Sequence, residues 1–119
     1  MLFGALSTVV LFAAVDRAKA VDDPAKLIEY RQSVMRANGG HLGAIVAVAK
    51  GEVSFTDEVA GHAEAIHMIS LNLARLFPEG SGREAGDTRA LPAIWERWGE
   101  FEAAIARLRD ESAKLAEVA

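Results

Sequence analysis

Apolar residues recur at steps of three and four through most of this chain, the spacing that places them on one face of an α-helix. A first helix is predicted over residues 24–50, because Asp22 or Asp23 can cap it and Pro24 suits its first turn. Gly51 is predicted to end it. The inward face of this helix is predicted to carry Ile28, Arg31, Met35, Asn38, Leu42, Ile45 and Ala49.

Two further segments have the same spacing, and a loop with Gly80, Gly82 and Gly86 joins them. One helix is predicted over residues 56–77, with Val59, Ala63, Ile66, Leu73 and Phe77 on one face. Another is predicted over residues 92–119, with one face formed by Trp95, Trp98, Phe101, Ile105, Leu108, Ser112 and Leu115. The last residues contain no helix-stopping Gly, Asn or Pro, so this helix is expected to be cut off rather than terminated.

These three amphipathic helices predict an all-α domain. Helices of this kind ordinarily bury their apolar faces against a fourth helix, since burial contributes about 25 cal/mol per Å². The pattern therefore favours a bundle that lacks one member, and three helices that close on themselves are the alternative. Within the first helix, Gly39 and Gly40 indicate a kink or the approach of a large group to the backbone, or else a close helix crossing.

The N-terminal 20 residues have the pattern of a secretory signal peptide. An apolar run over residues 2–15 is too short for a typical membrane span, and Ala18-Lys19-Ala20 suits a cleavage site. No Lys or Arg precedes the run, so a core helix is the alternative. Residues 1–20 are predicted to be the signal peptide and residues 21–119 a single domain without a membrane span, exported to the periplasm if the source is a Gram-negative bacterium.

Composition and charge narrow the possible functions. The chain has 119 residues, 51% of them hydrophobic, and a formal net charge of −4, which disfavours nucleic acid as a partner. It contains no Cys, so the fold must rest on packing without disulfides. Neither Ser33 nor Ser70 lies in the setting of a catalytic nucleophile, and the protein is predicted not to be an enzyme.

Arg31 and Met35 lie one helical turn apart on the same predicted face. A buried Arg requires an anion or hydrogen-bond acceptors, and Met is either a soft ligand or an adaptable core residue. Together they suit a pocket for a flat cofactor that carries carboxylates. On spacing alone, the more ordinary interpretation is an Arg that lies beside a core Met.

The three histidines are candidate metal ligands by residue type. His62 and His67 are five residues apart, which separates them by about 140° around a helix, so they cannot bind one ion together. His41, His62 and His67 are therefore predicted to be solvated or to face a partner.

Three blocks of sequence resemble the cytochrome c′ / cytochrome c-556 family. They are LIEYRQSVM at residues 27–35 followed by GGHLG at 39–43, FPEGSG at 77–82, and GDTRALPAIW at 86–95. The resemblance covers about residues 24–119. It implies an up-down antiparallel four-helix bundle, of which this chain has only the first three helices, that binds haem c in the periplasm.

The family attaches haem through Cys-x-x-Cys-His in its fourth helix, and the absence of Cys removes that attachment site from this chain. The resemblance further implies that Arg31 and Gln32 contact the haem propionates and that Asp87 and Thr88 lie near the haem edge. It puts Met35 at the distal position, as a possible ligand of the haem iron.

The resemblance is compatible with two functions, which differ in whether Met35 binds the haem iron. A sulfur bound to iron indicates an electron carrier, which is slightly favoured, whereas an unbound Met indicates a protein that binds small gases such as nitric oxide. The family also implies a homodimer through the first two helices and a redox partner protein. A helical interaction module that has lost haem and pairs with another chain is the alternative in a different class.

Overall fold

The computed structural model describes residues 22–119, and these residues contain α-helices and turns without any strand. The helices are α1 (Pro24–Ala49), α2 (Val59–Ser70), α3 (Ala93–Glu96) and α4 (Trp98–Val118). Two 3-10 turns, Thr56–Glu58 and Ala74–Leu76, flank α2. The predicted all-α class is confirmed. The predicted signal peptide over residues 1–20 lies outside the described residues.

Both ends of α1 follow from local chemistry. The Asp23 side chain accepts a hydrogen bond from the backbone N–H of Ala25 at 3.1 Å, and Pro24 occupies the first turn. At the other end Gly51 has a φ of 71°, and the N–H groups of Gly51 and Glu52 bond back to Val48 and Ala47. This Schellman arrangement needs a residue that tolerates positive φ. Helix α1 therefore ends within one residue of its predicted position.

The helix predicted over 56–77 is divided in the structure, because α2 ends at Ser70. The Ser70 hydroxyl donates to the carbonyl of His67 at 2.6 Å, and the chain then tightens into the 3-10 turn Ala74–Leu76. A hydroxyl that bonds to the preceding turn competes with regular helical hydrogen bonding. The turn still delivers Leu73 and Phe77 to the core, where they are 5% and 7% exposed.

The helix predicted over 92–119 is also divided, at Arg97, whose φ and ψ are −122° and 49°. The short helix α3 precedes this break and α4 follows it. The Trp95 Nε1 donates to the carbonyls of Phe77 at 2.9 Å and Pro78 at 3.1 Å, which fixes α3 on the loop before it. Nothing in the identity of Arg97 indicates a break, since Arg is a good helix former.

Helix α2 is the central helix, because it packs against both α1 and α4. The core where α2 and the turn after it meet α4 is built on Leu73 and Phe77 of that turn region and on Ile105 of α4. The Phe77 and Phe101 rings meet edge to face with their centroids 4.8 Å apart. Such aromatic pairs contribute beyond the area that they bury.

The inward face predicted for α1 is confirmed in part: its first residues are buried, Asn38 and Ile45 are half-buried, and Met35, Leu42 and Ala49 are exposed. Ile28 and Arg31 are each only 2% exposed, whereas Met35 and Leu42 are 39% and 50% exposed. The reason is that α2 is the main neighbour of α1, so one flank of α1 has no partner among the described residues. A four-helix bundle of which these are the first helices stays a prediction.

The close helix crossing predicted as one reason for Gly39 and Gly40 is absent, since a Cβ added at either glycine would have no atom within 4 Å. Within residues 22–119, no helix is both long enough and apolar enough to cross a membrane.

Replacement of Ile105 tests the core between α2 and α4. Ile105→Ala is expected to lower the free energy of unfolding by about 2–5 kcal/mol, because it removes buried methyl groups and leaves a cavity. Val118→Ala, at a side chain that is 79% exposed, is the matched control and is expected to change stability by less than about 0.5 kcal/mol. Urea denaturation followed by circular dichroism measures both, and equal effects would contradict this core.

Candidate functional site

A cavity of about 690 Å³ lies between α1, the loop over residues 77–92 and α3. Its volume is within the range of cofactor sites in proteins. It is lined by Arg31, Gln32, Met35, Arg36, Phe77, Asp87, Thr88, Arg89, Ala90 and Ile94. The structure thus brings together all five residues that the sequence assigned to a cofactor, which are Arg31, Gln32, Met35, Asp87 and Thr88.

The buried guanidinium of Arg31 holds the loop against α1. Its Nη1 donates to the Leu76 carbonyl at 3.1 Å and to the Ser81 hydroxyl at 3.0 Å. Its Nη2 donates to the Ser81 carbonyl at 2.9 Å and to the Thr88 hydroxyl at 3.0 Å. Four of the five N–H groups of this side chain are therefore bonded to the loop and the turn before it.

Burial lowers the pKa of Arg31, because a charged group is harder to hold away from water. The group stays protonated at neutral pH, since the pKa of a guanidinium is ordinarily so high. The Phe77 ring lies beneath it, with the Arg31 Cζ 4.6 Å from the ring centroid. All four acceptors of Arg31 are neutral, so its positive charge is uncompensated at the cavity wall.

Gln32 makes a second connection between α1 and the loop. Its Nε2 donates to the backbone carbonyl of Asp87 at 2.8 Å. Next to it, the Thr88 hydroxyl oxygen accepts from the Ala90 N–H at 3.1 Å as well as from Arg31. Two adjacent residues of α1 therefore fix two adjacent residues of the loop, and this sets the position of the wall opposite α1.

Ser81 is the residue that sequence reasoning missed. It is 1% exposed, and its hydroxyl donates to the Pro78 carbonyl at 2.7 Å while it accepts from Arg31. The Pro78 carbonyl also accepts from Trp95, so one chain of hydrogen bonds connects α1, the loop and α3. Its position between Gly80 and Gly82 predicts a turn, and Gly80 has a φ of 82°, but nothing in the sequence indicates the contact with Arg31.

The rest of the wall combines apolar surface with exposed charge. Phe77, Ala90 and Ile94 supply apolar surface, and the half-exposed Met35 adds a thioether. Arg36 and Arg89 are exposed on the same cavity, and within residues 22–119 neither forms an ion pair with a carboxylate. Asp87 contributes the one carboxylate of the lining. This arrangement suits a flat, mostly apolar ligand that carries negative groups.

None of the three histidines lines the cavity. His67 Nδ1 lies 3.0 Å from the Arg109 carbonyl, between α2 and α4. His41 Nδ1 and His62 Nδ1 lie 3.0 Å apart, between α1 and α2. The prediction that these side chains are solvated or face a partner is wrong, because all three are half-buried and bonded within the chain.

Arg31→Ala is expected to lower the free energy of unfolding by about 2–4 kcal/mol, because it leaves buried acceptors without donors. Amide exchange in residues 81–90 should accelerate at the same time. Arg36→Ala, at an exposed arginine on the same helix and cavity, is the matched control and should leave both quantities nearly unchanged. Hydrogen exchange read by mass spectrometry measures the loop. Unaltered exchange in Arg31→Ala would show that the loop is held by other contacts.

Comparison with known proteins gives a consistent result. The family model described as Cytochrome C' matches residues 26–119. A cytochrome c′ of Pararhodospirillum photometricum is 36% identical over 96 residues, which covers 81% of this chain and 76% of that protein. A cytochrome c-556 of Agrobacterium fabrum is 37% identical over 119 residues, which covers 98% and 71% respectively.

A cytochrome c-554 of Cereibacter sphaeroides is 34% identical over 112 residues, which covers 92% of this chain and 71% of that protein. No solved structure matches the chain significantly. Because the family match extends over nearly all of the described residues, and relatives of three names align along most of the sequence, this chain belongs to the cytochrome c′ family.

Proposed function

We propose that this protein is a c-type cytochrome and that the cavity beside α1 is the distal half of its haem site. The observation that carries the proposal is the uncompensated charge of Arg31 at the wall of an apolar cavity of about 690 Å³. Haem is a flat apolar ring with two carboxylates, so its chemistry matches this wall. When bound, haem supplies an iron that exchanges one electron or binds a diatomic gas.

The lining residues divide into three roles in this proposal. Phe77, Ala90 and Ile94 pack against the ring and exclude water from one side of it. Arg31 provides a fixed positive charge, and its loop hydrogen bonds leave the exposed Arg36 and Arg89 as the freer donors to propionates. Gln32, Asp87 and Thr88 fix the loop that forms the haem edge.

The residues of this chain fit the distal side of haem and not its proximal side. The sequence contains no Cys, so these 119 residues cannot form a thioether bond to a vinyl group. His41, His62 and His67 lie away from the cavity lining and are bonded elsewhere. The proposal for haem c therefore concerns how this chain binds and orients the face of haem on the side of Met35.

Electron transfer is the activity we favour. The Met35 side chain lines the cavity and is 39% exposed. A sulfur ligand would occupy the sixth coordination position of the iron and raise its reduction potential. Both effects suit an electron carrier. Binding of a small gas such as nitric oxide is the second candidate, and it requires that Met35 leaves the sixth position free.

Export and self-association complete the proposal. Periplasmic location rests on the predicted signal peptide over residues 1–20. A homodimer through α1 and α2 is supported by exposed apolar side chains on these two helices, which are Leu42, Val46 and Met68. The same surface supports the alternative of a haem-less interaction module, so haem content decides between the two.

The native gene product, purified from cells, is expected to contain haem in a pyridine haemochrome assay. Ile94→Trp, which fills the cavity, should lower the haem content. Leu91→Trp is the matched control, since Leu91 is 54% exposed and lies outside the cavity lining. Native product without haem would overturn the proposal and favour the interaction module.

Met35→Ala is expected to convert the iron from six-coordinate to five-coordinate, with a changed absorption spectrum and a lower redox potential, if the protein is an electron carrier. Met68→Ala, at a methionine that is 63% exposed on α2, is the matched control. Optical spectra and potentiometry of the haem-loaded protein measure both. A spectrum that Met35→Ala leaves unchanged would rule out ligation and favour gas binding.

A further inference from the structure

Among the described residues, the only side-chain hydrogen bond between α1 and α2 joins two histidines. His41 belongs to α1 and His62 to α2, and their Nδ1 atoms lie 3.0 Å apart. The ring centroids are 5.3 Å apart and the ring planes are inclined by 50°. Both side chains are half-buried, so the packing of the helices holds the two nitrogens opposite each other.

The number of protons on the two rings decides whether this contact can exist. With both rings neutral, or with one extra proton, one Nδ1 donates to the lone pair of the other. When both rings are protonated, two N–H groups face each other across 3.0 Å and neither has an acceptor. The rings then also carry like charges, which repel each other more strongly in a half-buried place than in water. The closed contact therefore holds at most one extra proton, whereas separated rings hold two.

We propose that the histidine pair is an acid-sensitive switch, which holds the second half of α1 on α2 at neutral pH and releases it when both rings are protonated. The sign follows from the proton count. The released pair binds more protons than the closed pair, so the closed contact is favoured as the pH rises and is lost as the pH falls. Histidine ordinarily changes its charge between about pH 5 and 8, which places the release in that range.

One carboxylate lies close to the pair. Glu58 Oε2, in the turn before α2, is 3.9 Å from His62 Nε2, the ring nitrogen that does not contact His41. Within residues 22–119, no carboxylate forms an ion pair with His41. A charge on His62 thus has a carboxylate beside it, whereas a second charge, on His41, has none to compensate it.

The two helices around α2 add no other free charge to the pair. The α1 residues one turn from His41 are all uncharged, and they are Ala37, Asn38, Ala44 and Ile45. Helix α4 contacts the other histidine of α2, His67, through the Arg109 carbonyl. The cations Arg109 and Lys114 of α4 are paired with carboxylates of the same helix. Repulsion between the two rings is therefore the main electrostatic change on acidification.

Each ring has a different partner available after release. The Asn38 Oδ1, one helical turn before His41, is the single buried side-chain polar atom of the described residues without a hydrogen-bond partner. It can accept from a protonated His41, and Glu58 can accept from a protonated His62. A contact with two satisfied arrangements changes between discrete states rather than gradually.

The release is expected to be confined to the second half of α1. Arg31 and Gln32 bond the first half to the loop, and neither bond involves a histidine. Around His41, by contrast, a Cβ added at Gly39, Gly40 or Gly43 would have no atom within 4 Å. Glycines also weaken a helix relative to alanine. The switch therefore acts where α1 has little other support, and it does not depend on the proposed haem site.

Hydrogen exchange read by mass spectrometry, corrected for the intrinsic effect of pH on exchange, tests the proposal on the native gene product. Protection in residues 41–50 should fall about tenfold between about pH 7.5 and about pH 5, because a difference of one bound proton changes an equilibrium tenfold per pH unit. His41→Gln and His62→Gln each leave one ring and should remove this pH dependence. His67→Gln keeps the pair, so this matched control should show the same fall as the parent.

Two results would overturn the proposal. One comes from the parent alone and does not depend on whether any variant folds: protection in residues 41–50 that changes less than about threefold over this pH range. The other is a tenfold fall that persists in both His41→Gln and His62→Gln, since it would then arise from other groups.

Discussion

The charge of Arg31, buried on α1 and bonded to four neutral acceptors, is the constraint on which the rest of the site depends. A guanidinium away from water is unfavourable unless its donors are satisfied, so the loop must supply Ser81 and Thr88 in fixed positions. These bonds give the loop its shape although it has little regular secondary structure. None of these acceptors is charged, so the positive charge of Arg31 keeps the cavity wall electropositive, although the net charge of the chain is −4. One side chain thus connects the fold of the loop to the charge of the cavity wall.

Helix α2 lies between α1 and α4 and limits the contact that these two helices can make. It separates α1 from α4 and packs against both, so the two outer helices cannot bury each other's apolar faces. One flank of α1 stays exposed as a result, with Met35 and Leu42 on it. In the proposed haem site, this exposure leaves the Met35 thioether open to the cavity that it lines.

Local signals made some features predictable. Asp23, Pro24 and Gly51 defined α1 because caps and a positive-φ glycine act within a few residues. The five site residues could be selected because the family blocks contain them, and all five line one cavity. Ser81 could not be selected, since its importance arises from Arg31, which is 50 residues away in the chain. The break at Arg97 could not be predicted either, because it accompanies hydrogen bonds from Trp95 to carbonyls of a distant turn.

Residue type and short-range periodicity were enough to predict that this protein is helical and where α1 begins and ends. The five candidate cofactor residues came instead from the resemblance of three sequence blocks to a family. Tertiary packing was needed to establish which flank of α1 is buried, that Arg31 is bonded to neutral acceptors, and that His41 meets His62. These outcomes depend on which helix packs against which, and distances between residues 21 to 57 positions apart are set by that packing rather than by spacing along the chain.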